Sequence, residues 1–153
     1  MANEYSKENV WKIMEDTKTV NFIRAIGLPD RKNIRIDIET YTAIDGEVSQ
    51  ELVDELHILR QDMTRRTAKT LKKLDVTAQE LKNGLSDETA VRQVSEYLHK
   101  HDGVIVSYGT CAVISDINKI AMEFQVPLVE NNQFDMKKMT KKCDEDYPDK
   151  SYE

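Results

Sequence analysis

One stretch narrows the possible folds more than any other, the segment from Asn33 to Tyr41, in which isoleucines at 34, 36 and 38 alternate with Arg35, Asp37 and Glu39. β-branched residues at every second position, with Pro29 and Asp30 before them and Asp45 and Gly46 after, specify a strand. Residues i and i+2 of a strand point the same way, about 6.6 Å apart at roughly 3.3 Å of rise per residue, so Asp37 and Glu39 share a face. Two carboxylates that close repel unless a proton or a cation lies between them, and hard divalent cations take such oxygen ligands. An edge strand with its acids in water carries the same pattern, so the pair alone decides nothing.

The rest of the chain sets the frame. At 153 residues it can bury one core. The net charge of −6 argues against holding nucleic acid by bulk electrostatics. Two local basic clusters stand out nonetheless: Arg65 and Arg66 with Lys69, Lys72 and Lys73, and Lys137 and Lys138 with Lys141 and Lys142. Cys111 and Cys143 have no companions at zinc-ligand spacing and read as free thiols. The first residues lack the apolar core of a signal peptide and no later run approaches a membrane span, so a cytoplasmic location and no membrane partner are expected.

Periodicity supplies the remaining elements. Ser6 caps an expected helix through Val10, Trp11, Met14, Phe22 and Ala25, ended by Gly27, which makes residues 1–32 an N-terminal helical extension. Val48, Leu52, Leu56, Leu59 and Met63 recur every three to four positions, so a long amphipathic helix is expected between Val48 and Leu74. Thr77 and Glu80 have capping-box spacing for a short helix stopping near Asn83 and Gly84. A further helix begins near Ser86, with Ala90, Val91, Val94 and Leu98 inward, and breaks at Asp102 and Gly103. Val104 to Tyr108 is a nearly continuous apolar run, as in a buried central strand. Ser115 caps a helix with Ile117, Ile120, Ala121 and Phe124 inward. A brief strand at Leu128 and Val129 and a helix from Asp135 through Lys142 follow, before an acidic tail. Strands separated by helices make the chain α/β.

Asp116, on the helix after the Val104 strand, would join Asp37 and Glu39 if the two strands were neighbours, because ligands gather outside the carboxyl ends of strands in α/β sheets. At this point the chain resembles a known superfamily. Ile36 to Tyr41 resembles the first motif of the DEDD 3′-to-5′ exonucleases, the superfamily of ribonuclease T and of polymerase proofreading domains. Leu74 to Leu81 resembles the segment before their middle helix, and Val104 to Gly109 with Asp116 resembles the second motif. Phe134 to Lys138 resembles the aspartate-containing segment after it, and Tyr147 to Tyr152 the loop leading into the next helix.

The resemblance implies a ribonuclease-H-like fold, a central sheet flanked by helices, over residues 33–153. It implies that Asp37, Glu39 and Asp116 are catalytic and hold two Mg²⁺ or Mn²⁺ ions, that Thr40 and Tyr41 contact substrate, and that the protein acts on or binds ends of single-stranded DNA or RNA. The superfamily's third motif would lie beyond residue 153, so the domain is expected to be C-terminally incomplete, with activity lost or completed by a protein partner or a second copy. The resemblance implies a β-hairpin over Val48 to Leu59 where periodicity reads helix, and the helical reading of 48–74 fits two other classes. One is a PIN-type ribonuclease using Asp37, Asp116 and an acid such as Glu80 or Glu88. The other is a non-enzymatic adaptor that pairs the long helix with a partner.

Overall fold

The computed structural model describes residues 18–27, 33–44, 47–107 and 112–135. In chain order these form β1 (Thr19–Gly27), β2 (Asn33–Ile44), β3 (Glu47–Leu59), α1 (Ala68–Leu74), α2 (Ala78–Lys82), α3 (Asp87–Lys100), β4 (Val104–Ser107), α4 (Ala112–Glu123) and β5 (Gln133–Asp135). The sheet order is β3-β2-β1-β4-β5. The first three strands form an antiparallel meander, and β4 and β5 add in parallel on the far side of β1.

Two expected helices are strands. The N-terminal helix was expected to run through Gly27, but Thr19–Gly27 is β1, and the expected boundary at residue 32 falls between two adjacent strands of one sheet. Phe22 and Ala25 look like one helical face at i and i+3, yet in a strand they point to opposite faces. Thr19, Val20, Ile23 and Ile26 are β-branched, and β2 and β4 pair with this strand on its two sides. Ser6, Val10, Trp11 and Met14 lie outside the described residues. The helix expected from Val48 is likewise β3, paired with β2 from Ile44↔Glu47 to Arg35↔Leu59. Val48, Leu52 and Leu56 are four apart, and four is a multiple of two as well as about one helical turn, so their spacing suits both structures.

The other helices form for the reasons read from the sequence. Thr77 and Glu80 close a reciprocal capping box on α2, and the Ser86 hydroxyl accepts from the Thr89 amide to start α3. Helix α4 begins at Ala112 instead of Ser115, which places Ser115 and Asp116 inside it. Ile117 and Ala121 are buried on α4 as expected, while Phe124 is 37% exposed. The expected strand at Leu128 and Val129 is unpaired. Val129 is held by the Asn118 side chain, which donates to its carbonyl and accepts from its amide, and pairing starts only at β5. The expected helix from Asp135 begins where β5 ends, and its remainder lies outside the described residues, as do Cys111, Cys143 and the acidic tail.

The main core lies between one sheet face and helices α3 and α4. Ile23, Ile36, Ile38, Ile58 and Ile105 meet Val91, Val94 and Leu98 of α3 and Val113, Ile114 and Ile117 of α4. Each such side chain contributes roughly 1.5–3 kcal/mol when fully buried. On the opposite face Val20, Ala43, Val104, Val106 and Phe134 form a second cluster. A third joins Leu74 of α1 and Leu81 of α2 to Ile34, with Ile26, Leu59 and Leu71 packed against it, which fixes α1 at one end of the sheet.

Candidate functional site

Alternation along β2 sends Ile36 and Ile38 into the main core and Asp37 and Glu39 to the other face, as their spacing requires. Arg24 of β1 and His57 of β3 stand directly opposite Asp37 in register and share that face. Asp37 is 8% exposed. Its Oδ1 lies 2.6 Å from Nδ1 of His57, and its Oδ2 lies 3.6 Å from Arg24 and 3.7 Å from Arg35. Nε2 of His57 reaches Glu55 at 3.3 Å. The hydrogen bond to Asp37, followed by that to Glu55, raises the imidazole above its ordinary range against the pull of partial burial. Asp37 is therefore the shared partner of two guanidiniums and an imidazole.

Glu39 is exposed and accepts a hydrogen bond of 3.0 Å from the Tyr41 hydroxyl, which pushes that phenol up. The Tyr41 ring meets Phe22 edge-on with centroids 5.7 Å apart. Thr40 points the other way and is fully buried. Its hydroxyl donates to Asn21 Oδ1 at 2.7 Å and accepts from the Tyr97 hydroxyl at 2.5 Å, while Asn21 Nδ2 donates to the carbonyl of His101. Thr40 thus ties β1, β2 and α3 together, and a substrate has no path to it. Tyr41 remains accessible.

Asp116 is on the far side of the sheet. It lies on α4, which packs on the Ile36 and Ile38 face, and its Oδ2 accepts from Nη1 of Arg60 at 3.0 Å. Arg60 follows Ile58 by two residues, is 3% exposed, and also binds Asp87 at the start of α3 and the carbonyl of Asn33. The premise that would bring the acids together also fails, since β4 pairs with β1 and not with β2. On the β2 side the strand next to β4 is β1, which carries Phe22 and Arg24 and no acid. Arg60, Arg24 and His57 organise these carboxylates and none of them was singled out from the sequence. Their signal there is position alone: Arg24 follows Ile23, His57 precedes Ile58 and Arg60 ends the same run, and a cation in or beside an apolar strand needs a partner.

A pair of divalent ions about 4 Å apart needs oxygen ligands that converge on both. Asp37 faces Arg24, Arg35 and His57, and Asp116 faces Arg60, with the sheet between them. Among the described residues no group of three or more His, Cys, Asp or Glu side chains is placed to hold a metal. The residues expected to bind Mg²⁺ or Mn²⁺ do not fit that role. The acids of the PIN-type reading are also engaged elsewhere: Glu80 closes the α2 capping box, and Glu88 lies 3.8 Å from Arg92. That reading and the adaptor reading both drew on a long helix that β3 replaces.

Comparison with solved structures fits the topology. A product-bound exonuclease I superposes with a TM-score of 0.63 at 10% identity over 88% of this chain and 33% of its own. The fold is that of the ribonuclease-H-like exonucleases. Exonuclease I of E. coli in complex with a dT13 oligonucleotide gives a TM-score of 0.59 at 10% identity, covering 86% of this chain and 31% of that one. A 3′-exonuclease that recognises the 3′ end of histone mRNA stem-loop gives 0.53 at 10% identity, covering 80% and 48%. The chain spans about a third of the length of the exonuclease I chains it matches. Neither a protein family nor a curated protein matches it by sequence. None of the helices among the described residues is long and apolar enough to cross a membrane.

Proposed function

We propose that this chain uses the exonuclease fold to bind single-stranded DNA or RNA, near its ends, without hydrolysing it. The observation that carries this reading is the pairing of Asp37 with Arg24, Arg35 and His57 on one sheet face and of Asp116 with Arg60 on the other. Releasing Asp37 to a metal would leave the Arg24 and Arg35 guanidiniums around an ion of the same sign and His57 without its partner, and moving Asp116 would strip a buried guanidinium of a partner. In this reading Asp37, Glu39 and Asp116 are ion-pair and hydrogen-bond partners, and Tyr41 with Phe22 offers the accessible aromatic surface on which a base can stack.

The test is incubation of the pure protein with a 5′-labelled single strand in EDTA, Mg²⁺ or Mn²⁺, reading anisotropy and fragment length together. Binding in all three buffers with the strand intact is the expected result. Metal-dependent shortening from the 3′ end would restore the carboxylates as metal ligands, whether through rearrangement or through a second copy or partner that completes the site. Failure to bind under any condition would overturn the reading altogether.

A further inference from the structure

Helix α1 presents a cationic face that its own stability does not explain. Lys69, Lys72 and Lys73 stand at i, i+3 and i+4 and are all exposed, while Leu71 and Leu74 on the opposite side pack into the cluster with Ile26 and Ile34. Lys72 and Lys73 in the last turn complement the helix dipole. Lys69 in the first turn, and exposed Arg65 just before the Thr67 cap, oppose it, and that turn contains no acid. Among the described residues no ion pair joins Arg65, Lys69, Lys72 or Lys73 to a carboxylate. Residues 63–82 hold six lysines and arginines against Asp75 and Glu80, a local excess of cations within a chain of net charge −6. Like charges crowded on one face repel, so the arrangement suits a polyanion better than it suits the free helix.

The cationic surface continues onto the sheet. Arg35 Nη1 donates to the Leu74 carbonyl at 2.9 Å, crossing from β2 to the end of α1. Arg24 stands beside it with its side chain 77% exposed, and Phe22 and Tyr41 lie further along the same face. A phosphate backbone laid along these groups meets cations first and aromatic rings second, the combination that single-strand binding uses. Asp37, Glu39 and Glu55 share the sheet part of this face, so the lysines of α1 supply the attraction.

Resting on the binding function proposed above, we infer that the Lys69, Lys72 and Lys73 face of α1, extended by Arg35 and Arg24, is the surface that holds the phosphate backbone of a single-stranded polynucleotide. Recognition there is by charge, so it depends on salt and not on sequence.

The experiment measures anisotropy of a fluorescein-labelled oligothymidylate, longer than the site sizes of about 4–16 nucleotides usual for one small domain, between about 50 and 200 mM salt. The variants are K69Q/K72Q/K73Q, the charge-retaining K69R/K72R/K73R, and K100Q/K119Q, whose lysines are exposed on other helices. The triple Gln variant is expected to lose roughly tenfold or more in affinity at the lower salt and to flatten the slope of log K against log salt by about 2, near 0.7 for each lost contact. The Arg variant and the K100Q/K119Q control should stay within about twofold of the parent, and circular dichroism should be unchanged throughout. An equal loss in the control and the triple Gln variant overturns the inference, because only net charge then matters. A bound parent with an unaffected triple Gln variant overturns the site and leaves the binding function standing. A parent that does not bind overturns both.

Discussion

Asp116 Oδ2 sits 3.0 Å from Nη1 of Arg60, whose side chain is only 4% exposed, on the sheet face opposite Asp37. Three unpaired carboxylates converging on one point would repel, and Asp116→Asn would then stabilise the metal-free protein. The observed pair requires the opposite sign. Asp116→Asn should cost about 1 kcal/mol, limited by the 31% exposure of its side chain and by the second partner Asp87. Arg60→Met should cost about 3 kcal/mol, since it removes the shared partner of both acids and of the Asn33 carbonyl. Urea denaturation in EDTA reads both, and a gain in stability for Asp116→Asn would return that residue to an unpaired acidic site.

Thr40 offers a second measurement. Thr40→Val keeps the shape but strands Asn21 Oδ1 and the Tyr97 hydroxyl inside the protein. Leaving buried polar atoms unsatisfied costs about 1–3 kcal/mol each, so a loss of roughly 2–6 kcal/mol is expected for the two. Nucleic-acid affinity measured well below the melting transition should not change, because Thr40 is fully buried. A variant of normal stability and reduced affinity would give Thr40 the substrate contact that its burial denies it.

How much of this was legible depended on whether local pattern and tertiary pairing agreed. Strand β2, helices α2 and α3 and strand β4 could be read because alternation, capping residues and short apolar runs each have one interpretation. Strands β1 and β3 could not, since Phe22 with Ala25, and Val48 with Leu52 and Leu56, satisfy a helical count while strand pairing decides the outcome. The error in β1 carried into the site. Without that strand nothing separates β2 from β4, and only their adjacency would bring Asp116 to Asp37. The shared face of Asp37 and Glu39 was right because it follows from the period of a strand alone. The guanidinium and imidazole groups that claim the acids come from other strands and follow only from register.

Gly103 tests the packing of β1 against β4 directly. A Cβ built there would lie 2.1 Å from the Thr19 carbonyl oxygen and 2.7 Å from its carbonyl carbon, and backbone cannot move aside as a flexible side chain can. Gly103→Ala should therefore destabilise by about 1–3 kcal/mol or more through overpacking, despite the smaller chain entropy of Ala in the unfolded state. Thermal denaturation gives the answer, and an unchanged melting temperature would mean that β4 does not enter the sheet at this distance from Thr19.

The pH dependence of stability reports on the pairing of His57 with Asp37. The hydrogen bonds to Asp37 and Glu55 raise the imidazole in the folded protein above the value near 6.5 that it has when unfolded. The folded state therefore binds the proton more tightly. Its contribution to stability is fully present below about pH 6.5 and is lost as pH rises through the folded value. His57→Gln can donate one hydrogen bond to Asp37 but cannot carry the charge, so wild type and variant should differ most near pH 5.5 and converge above the folded value. The His57 side chain is 54% exposed, and solvent screening keeps the difference to about 1 kcal/mol or less. Chemical denaturation of both proteins at pH steps from about 5.5 to 9 resolves the trend, and NMR titration of the imidazole locates its midpoint. A difference that grows with rising pH has the wrong sign for this pair. It would mean that neutral His57 is the form the fold prefers, with Asp37 held by Arg24 and Arg35 alone.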